Sequence, residues 1–223
     1  MTVSQNEDIF PSKMGPEYVG FDHIHWFVGN PKQAASYWIT RMGFRPIAYR
    51  GPETGSPYLV SYVVANGDAT FILTGSVCGP PKDGADGFLR QISHHERTTL
   101  AEIHEHLTVH GDGVKDVAFR IAGDIEAVWK RAVGNGARSI AEPQTVAADG
   151  HGILISATIG TYGDTVHSLV NREKYSKDAP FLPGYRVTTD EDPITQLLPA
   201  VEFLEIDHCV GNQSWGGVDS IVQ

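Results

Sequence analysis

The sequence predicts an α+β fold built from two copies of a strand–helix–strand–strand–strand (βαβββ) module, and three observations support this. Segments 18–77 and 114–173 show the same order of predicted elements. In each segment, apolar residues at helical spacing follow the first strand. Turn signals rich in glycine, asparagine and aspartate then separate three β-like runs. Because one module leaves a sheet face uncovered, we expect the two copies to pair their sheets in a single domain.

The first module begins with a strand at Tyr18–Asn30, whose aromatic and β-branched residues indicate that both faces are buried. Asn30 and Pro31 predict a helix start, because asparagine caps free N–H groups and proline suits the first helical position. The helix has one apolar face and is expected to end at Gly43. Three strands are predicted to follow, at Phe44–Arg50, Tyr58–Ala65 and Ala69–Val77. An Asn-Gly pair between the last two is a strong hairpin signal.

The second module repeats this order. Val114–Ala122 is predicted as its first strand, and Asp124 is the expected N-cap of a helix that ends near Gly134. Its three further strands are predicted at Arg138–Val146, Gly152–Thr161 and Asp164–Arg172. Because the two segments show the same order of predicted elements, the sequence predicts a duplicated module.

The remaining segments flank or separate the modules. Residues 1–17 are predicted to be a flexible N-terminus, and segment 79–113 an insertion with a helix at Phe88–Val109. Segment 174–200, rich in proline, aspartate and threonine, is predicted to be a linker with room for a short helix. A strand is then predicted at Val201–Asn212.

A short motif occurs in both the first and the last of these strands. Phe21-Asp22-His23 near the start corresponds to Ile206-Asp207-His208 near the end, and Val-Gly-Asn follows in both places. The repeat indicates that a third module begins here, but the residues after His208 are too few to complete one. We therefore expect 201–223 to be the first strand of an incomplete second domain. It should be poorly ordered or should rest against the first domain.

Composition narrows the classes of function. There are 17 lysines and arginines against 27 aspartates and glutamates, a net charge of −10, which argues against a nucleic-acid partner. Cys78 and Cys209 are too few for a disulfide framework and favour reduced thiols in the cytoplasm. We see neither a signal peptide nor an apolar stretch long enough for a membrane span.

Several histidines are candidates for chemistry. His106 and His110 are four residues apart, which places two imidazoles on one helix face, but the HExxH glutamate is absent. We interpret them as ordinary residues of a solvated helix. His23 and His25 share one face of the first strand and are interpreted as core or cleft residues. Motifs for phosphate-binding loops, dinucleotide binding, serine hydrolysis and CxxC redox chemistry are missing from the sequence.

Longer motifs resemble a known family. The segments FDHIHWFVGNPKQAASYWITRMGF, HGDGVKDVAFR, TIGTYGDTVHSLVNRE, FLPGY and IDHCVGNQ together look like the 4-hydroxyphenylpyruvate dioxygenases of the vicinal oxygen chelate superfamily. The resemblance runs from about Tyr18 to Gln213. It implies a fold of paired βαβββ modules in two domains, which agrees with the repeats.

The resemblance also implies a chemistry. Members convert 4-hydroxyphenylpyruvate, an aromatic keto acid, and O2 to homogentisate and CO2 in tyrosine and phenylalanine catabolism. They use Fe(II) held by two histidines and a glutamate. His208 matches the first iron ligand, and Val210 matches a position that lines the substrate pocket. The family also suggests a self-associating, cytoplasmic enzyme.

The other two iron ligands of the family fall beyond residue 223. We therefore predict that this polypeptide alone is inactive. Two alternatives remain open: an iron oxygenase like hydroxymandelate synthase, or a non-catalytic binding or structural module.

Overall fold

The computed structural model describes residues 15–79, 93–148, 150–189 and 191–212. Nine strands are present in these ranges: β1 Tyr18–Phe27, β2 Arg45–Arg50, β3 Leu59–Asn66, β4 Ala69–Ser76, β5 Gly113–Ile121, β6 Arg138–Ala148, β7 Gly152–Gly160, β8 Val166–Asn171 and β9 Arg186–Val187. The α-helices are α1 Pro31–Met42, α2 His94–His110 and α3 Ile125–Gly134. Short 3-10 helices occupy Pro52–Thr54 and Pro193–Leu197. Most of the predicted flexible N-terminus and the start of the predicted insertion lie outside the described residues.

The strands form a single mixed sheet in the order β6-β7-β8-β5-β1-β4-β3-β2-β9. Each module contributes a parallel pair, β1 with β4 and β5 with β8, and two antiparallel hairpin partners. The first strands of the two modules, β1 and β5, pair antiparallel at the centre and join the halves. This arrangement confirms the predicted α+β fold of two paired βαβββ modules.

The helix termini follow the sequence signals. The Asn30 side chain accepts a hydrogen bond from the Gln33 backbone N–H at 3.1 Å, and Gly43 adopts φ +68°, a conformation that favours glycine. Asp124 accepts from the backbone N–H groups of Glu126 and Ala127 at the start of α3. Local capping chemistry therefore sets these boundaries.

Helix α2 belongs to the insertion between the modules and packs on the first of them. Its fully buried Leu100 and Ile103 contact Phe27, Tyr58 and Leu59. The helix begins at His94, where the Ser93 side chain accepts from the Glu96 backbone N–H. None of the described helices is long and apolar enough to cross a membrane.

The segment after the second module differs from the expectation. Within the predicted linker, β9 adds two residues to the edge of β2, and the 3-10 helix at Pro193–Leu197 supplies the expected short helix. Residues 201–212, however, form neither helix nor strand. The strand predicted at Val201–Asn212 is thus not formed, because no described strand lies beside the segment to complete its hydrogen bonds.

This segment, which we call the tail, rests on the first module as anticipated. Asp68 donates its backbone N–H to the Leu204 carbonyl at 2.7 Å, and Phe203 and Ile206 pack on the cluster around α1. The side chain of Asn66 binds the tail at two points, donating to the Val201 carbonyl at 2.8 Å and accepting from the Phe203 N–H at 3.2 Å. Assignment of 201–223 to a further domain stays a prediction.

Candidate functional site

His208, the predicted metal ligand, lies in the tail and is open to solvent. Its Nδ1 is 2.6 Å from Oδ2 of Asp207, and the two side chains are 73% and 93% exposed. A carboxylate that binds one ring nitrogen of a histidine fixes the orientation of the ring. The other nitrogen, Nε2, is then the atom that can bind a metal.

The described residues do not complete an iron centre at His208. An iron oxygenase site requires two histidines and a carboxylate around one ion. Among the described histidines, cysteines and acidic residues, no group that could hold a metal includes His208. The donor chemistry of this side chain therefore fits one ligand of an iron centre, and the described part of the chain supplies that one ligand only. Val210, the predicted pocket residue, is 82% exposed.

The first copy of the motif, Asp22-His23, occupies the interior. Asp22 is 1% exposed and His23 is 4% exposed, with His23 Nδ1 2.7 Å from Asp22 Oδ1. Arg172, the residue that follows β8, donates to both carboxylate oxygens of Asp22 at 2.7 and 2.9 Å. Burial raises the pKa of Asp22, but hydrogen bonds from Arg172 and His23 outweigh burial and hold the pKa well below its usual value. This copy lies in the core, where Asp22 forms an ion pair with Arg172, and the burial of His23 fits its interpretation as a core or cleft residue.

A band of polar side chains also crosses the middle of the sheet. His25 Nε2 lies 2.7 Å from the Thr74 hydroxyl, which lies 2.7 Å from the Ser61 hydroxyl. On the neighbouring strand, Asp116 stands opposite His25 and accepts hydrogen bonds from the backbone and hydroxyl of Ser168. Burial lowers the pKa of His25 to about 3 and raises the pKa of Asp116. These groups have partners, so the band belongs to the structured interior of the sheet.

One cluster in the described part of the chain does have the composition of a metal site. It consists of His106 and His110 of α2 and Asp164 of the turn between β7 and β8. Contrary to our interpretation of an ordinary solvated helix, His106 is only 4% exposed. The spacing of the two histidines was visible in the sequence. The aspartate was not, because it is 54 residues away from His110 and only the fold brings it near.

Comparison with known proteins identifies the lineage of the chain. No protein-family model matches the sequence. A probable 4-hydroxyphenylpyruvate dioxygenase 2 of Aspergillus fumigatus is 62% identical over 225 residues, which cover 100% of this chain and 55% of the relative. A 4-hydroxyphenylpyruvate dioxygenase of the same fungus is 52% identical over 207 residues, covering 92% of this chain and 49% of the relative. The chain spans about half the length of these curated relatives.

A solved structure supports the fold. A mutant of 4-hydroxymandelate synthase from Streptomyces coelicolor superposes with a TM-score of 0.59 over 82% of this chain and 45% of that chain. At 21% sequence identity, this likeness shows the fold and does not decide between the activities of the two enzymes. The chain is thus a homologue, over its whole length, of the 4-hydroxyphenylpyruvate dioxygenases, and it has the vicinal oxygen chelate fold.

Proposed function

We propose that the chain is the N-terminal half of an Fe(II)-dependent 4-hydroxyphenylpyruvate dioxygenase. The reaction would combine 4-hydroxyphenylpyruvate with O2 and yield homogentisate and CO2. The observation that carries the proposal is the 62% identity to a probable dioxygenase of this type, because it extends over both modules and over the tail that contains His208. The enzyme would act in the cytoplasm on an aromatic keto acid and self-associate.

Within this enzyme, the two modules would have a structural role and the tail would lead into the catalytic half. His208 would hold the iron through Nε2, while Asp207 at 2.6 Å orients the ring. The iron would supply a binding position for the keto acid and for O2. The second histidine and the glutamate would come from residues that the described part of the chain does not contain.

The exposed apolar side chains of the tail support this arrangement. Leu204 and Val210 of the tail are 86% and 82% exposed, and Leu197, at the end of the preceding 3-10 helix, is 85% exposed, which is unusual for large apolar residues so close in sequence. Further polypeptide packed against the tail would cover them. Val210, two residues beyond His208, would then face the substrate pocket.

An oxygen-uptake assay tests the proposal. The purified 223-residue chain, supplied with Fe(II) and 4-hydroxyphenylpyruvate, is expected to show no turnover, because one imidazole cannot hold iron in a catalytic geometry. A chimera that joins residues 1–212 to the corresponding C-terminal half of the Aspergillus fumigatus relative is expected to turn over.

Two variants of the chimera localise the iron ligand. His208→Ala should abolish turnover and iron retention, whereas His95→Ala, an exposed histidine of α2, should leave both unchanged. Turnover by the 223-residue chain alone, or undiminished turnover by the His208→Ala chimera, would contradict the proposal.

A further inference from the structure

The insertion helix α2 and the β7–β8 turn meet at three side chains that can bind metal. His106 and His110 are one helical turn apart, so their rings lie side by side with centroids 4.9 Å apart. Oδ2 of Asp164 is 3.0 Å from His110 Nε2 and 3.8 Å from His106 Nδ1. The three donor atoms all lie within 4.8 Å of one another.

These separations suit a small divalent ion. Zinc binds histidine nitrogen and carboxylate oxygen at about 2.0–2.2 Å in tetrahedral sites, which requires ligand atoms about 3.3 Å apart. The distances from Asp164 Oδ2 to the two ring nitrogens, 3.0 and 3.8 Å, bracket that value. Small rotations of exposed side chains would complete the geometry, because His110 and Asp164 are 42% and 52% exposed.

The buried histidine is a second, independent indication of a ligand. Neither ring nitrogen of His106, Nδ1 or Nε2, has a hydrogen-bond partner among the described residues, although the residue is only 4% exposed. A buried polar atom without a partner costs about 1–3 kcal/mol, so native structures rarely retain one. Nδ1 is also the atom of this ring that faces Asp164. A metal ion between the two groups would satisfy it.

Neighbouring groups leave the carboxylate available. Lys115 lies close, but its Nζ donates to the backbone carbonyl of Asp164 at 2.9 Å and not to the side chain. Gly113 lies beside the opposite edge of the His106 ring, where a Cβ atom would be 3.1 Å from Nε2. The backbone there makes room for the imidazole and leaves Nδ1 directed at the cluster.

We propose that His106, His110 and Asp164 form a binding site for a divalent transition-metal ion that fastens the insertion helix to the second module. The site is separate from the proposed iron centre, because none of its residues belongs to the tail. Two histidines and one carboxylate leave the fourth tetrahedral position to water. The ion would join two parts of the chain that are more than 50 residues apart, and it would stabilise the folded state by mass action.

The test uses the full 223-residue chain, freed of metal with a chelator and titrated with ZnCl2 in a calorimeter. One equivalent is expected to bind at the cluster, with a higher midpoint of thermal unfolding in the presence of zinc. Co2+, used as a spectroscopic probe, should give the visible absorption of a tetrahedral nitrogen and oxygen site. His110→Ala and Asp164→Asn should each weaken zinc binding at least about tenfold, since even residues that only support metal ligands contribute 10- to 100-fold.

Control variants separate this site from other histidines. His95→Ala, on the same helix, and His208→Ala, in the tail, should retain the affinity and the thermal shift. His106→Gln should also lose binding, but the buried ring contacts Phe27, so the two exposed variants carry the test. Absence of zinc binding, or equal binding by the parent chain, His110→Ala and Asp164→Asn, would overturn the proposal.

Discussion

The two Asp-His pairs of this chain have nearly the same local geometry in opposite surroundings. The Nδ1–carboxylate distance is 2.7 Å for Asp22-His23 and 2.6 Å for Asp207-His208. The first pair is almost wholly buried, whereas the side chains of the second are 73% and 93% exposed. The contact between the aspartate and the adjacent histidine therefore follows from the motif itself. The rest of the fold determines whether the pair is buried or exposed.

The two pairs differ in burial because only the first lies in a strand with neighbouring strands on both sides. β1 lies between β4 and β5 at the centre of the sheet, and Arg172 reaches Asp22 from the far end of the second module. The tail has no neighbouring strand among the described residues, and the His208 side chain is 73% exposed. One copy of the motif lies in the core, while the other is exposed to solvent, as the proposed metal ligand would need to be.

Removing each aspartate should give the largest contrast between the two copies. Asp22→Ala is expected to lower the free energy of unfolding by about 3–5 kcal/mol, because it leaves the Arg172 guanidinium, whose side chain is 18% exposed, without its partner. Urea unfolding followed by circular dichroism would measure the loss. Asp207→Ala is the matched control and should cause no measurable change, since exposed ion pairs contribute little. Equal effects of the two variants would show that burial does not distinguish the pairs.

The residue two positions after each histidine offers a smaller contrast that depends on pH. His25 has a folded-state pKa of about 3, because burial disfavours its charged form. Between about pH 6.5 and pH 4 the unfolded chain therefore binds a proton that the folded chain does not, and stability falls as the pH falls. The contribution is at most about 1.4 kcal/mol per pH unit.

His25→Gln should flatten this part of the profile, measured as the urea midpoint at several pH values. Val210, at the same offset from His208, does not titrate, and Val210→Ala should leave the profile unchanged. A parent profile that His25→Gln does not alter would count against a neutral His25 imidazole in the folded state.

The contacts that hold the tail should have the smallest effect on global stability. Asn66 binds the Val201 and Phe203 backbone, so Asn66→Ala is expected to lower stability by only about 1–2 kcal/mol. Limited proteolysis should nevertheless cleave residues 201–212 faster, because the tail loses its two hydrogen bonds to the Asn66 side chain. Gln33→Ala, an exposed substitution on α1, is the control. An unchanged cleavage rate in Asn66→Ala would show that apolar packing and the Asp68 backbone hydrogen bond are enough to hold the tail.

Much of the sheet was predictable because its signals are local. The Asn30-Pro31 start and the Gly43 end of α1 depend on capping chemistry within one turn of the helix. The hairpin at Asn66-Gly67 likewise follows from one glycine, which adopts φ +59°. Duplication of these signals was enough to predict two βαβββ modules.

The features that were not predictable depend on distant residues. No local pattern links Asp22 to Arg172, or His110 to Asp164, because the sheet order creates those neighbours. The tail was predicted as a strand because its composition is typical of one, but a strand also requires a partner edge. At His208 the residue type and motif could be recognised, whereas the other ligands of the proposed iron centre would lie outside the described part of the chain.

The pairing of Asp22 with Arg172 has a consequence for biosynthesis. The aspartate leaves the ribosome early, and its two guanidinium partners, Arg120 and Arg172, are made 98 and 150 residues later. Until both arginines are made, a nascent first module cannot bury β1 without enclosing a carboxylate that lacks its full set of guanidinium partners. Closure of the sheet centre is therefore expected to wait for the end of β8, so that the two modules fold together and not in succession.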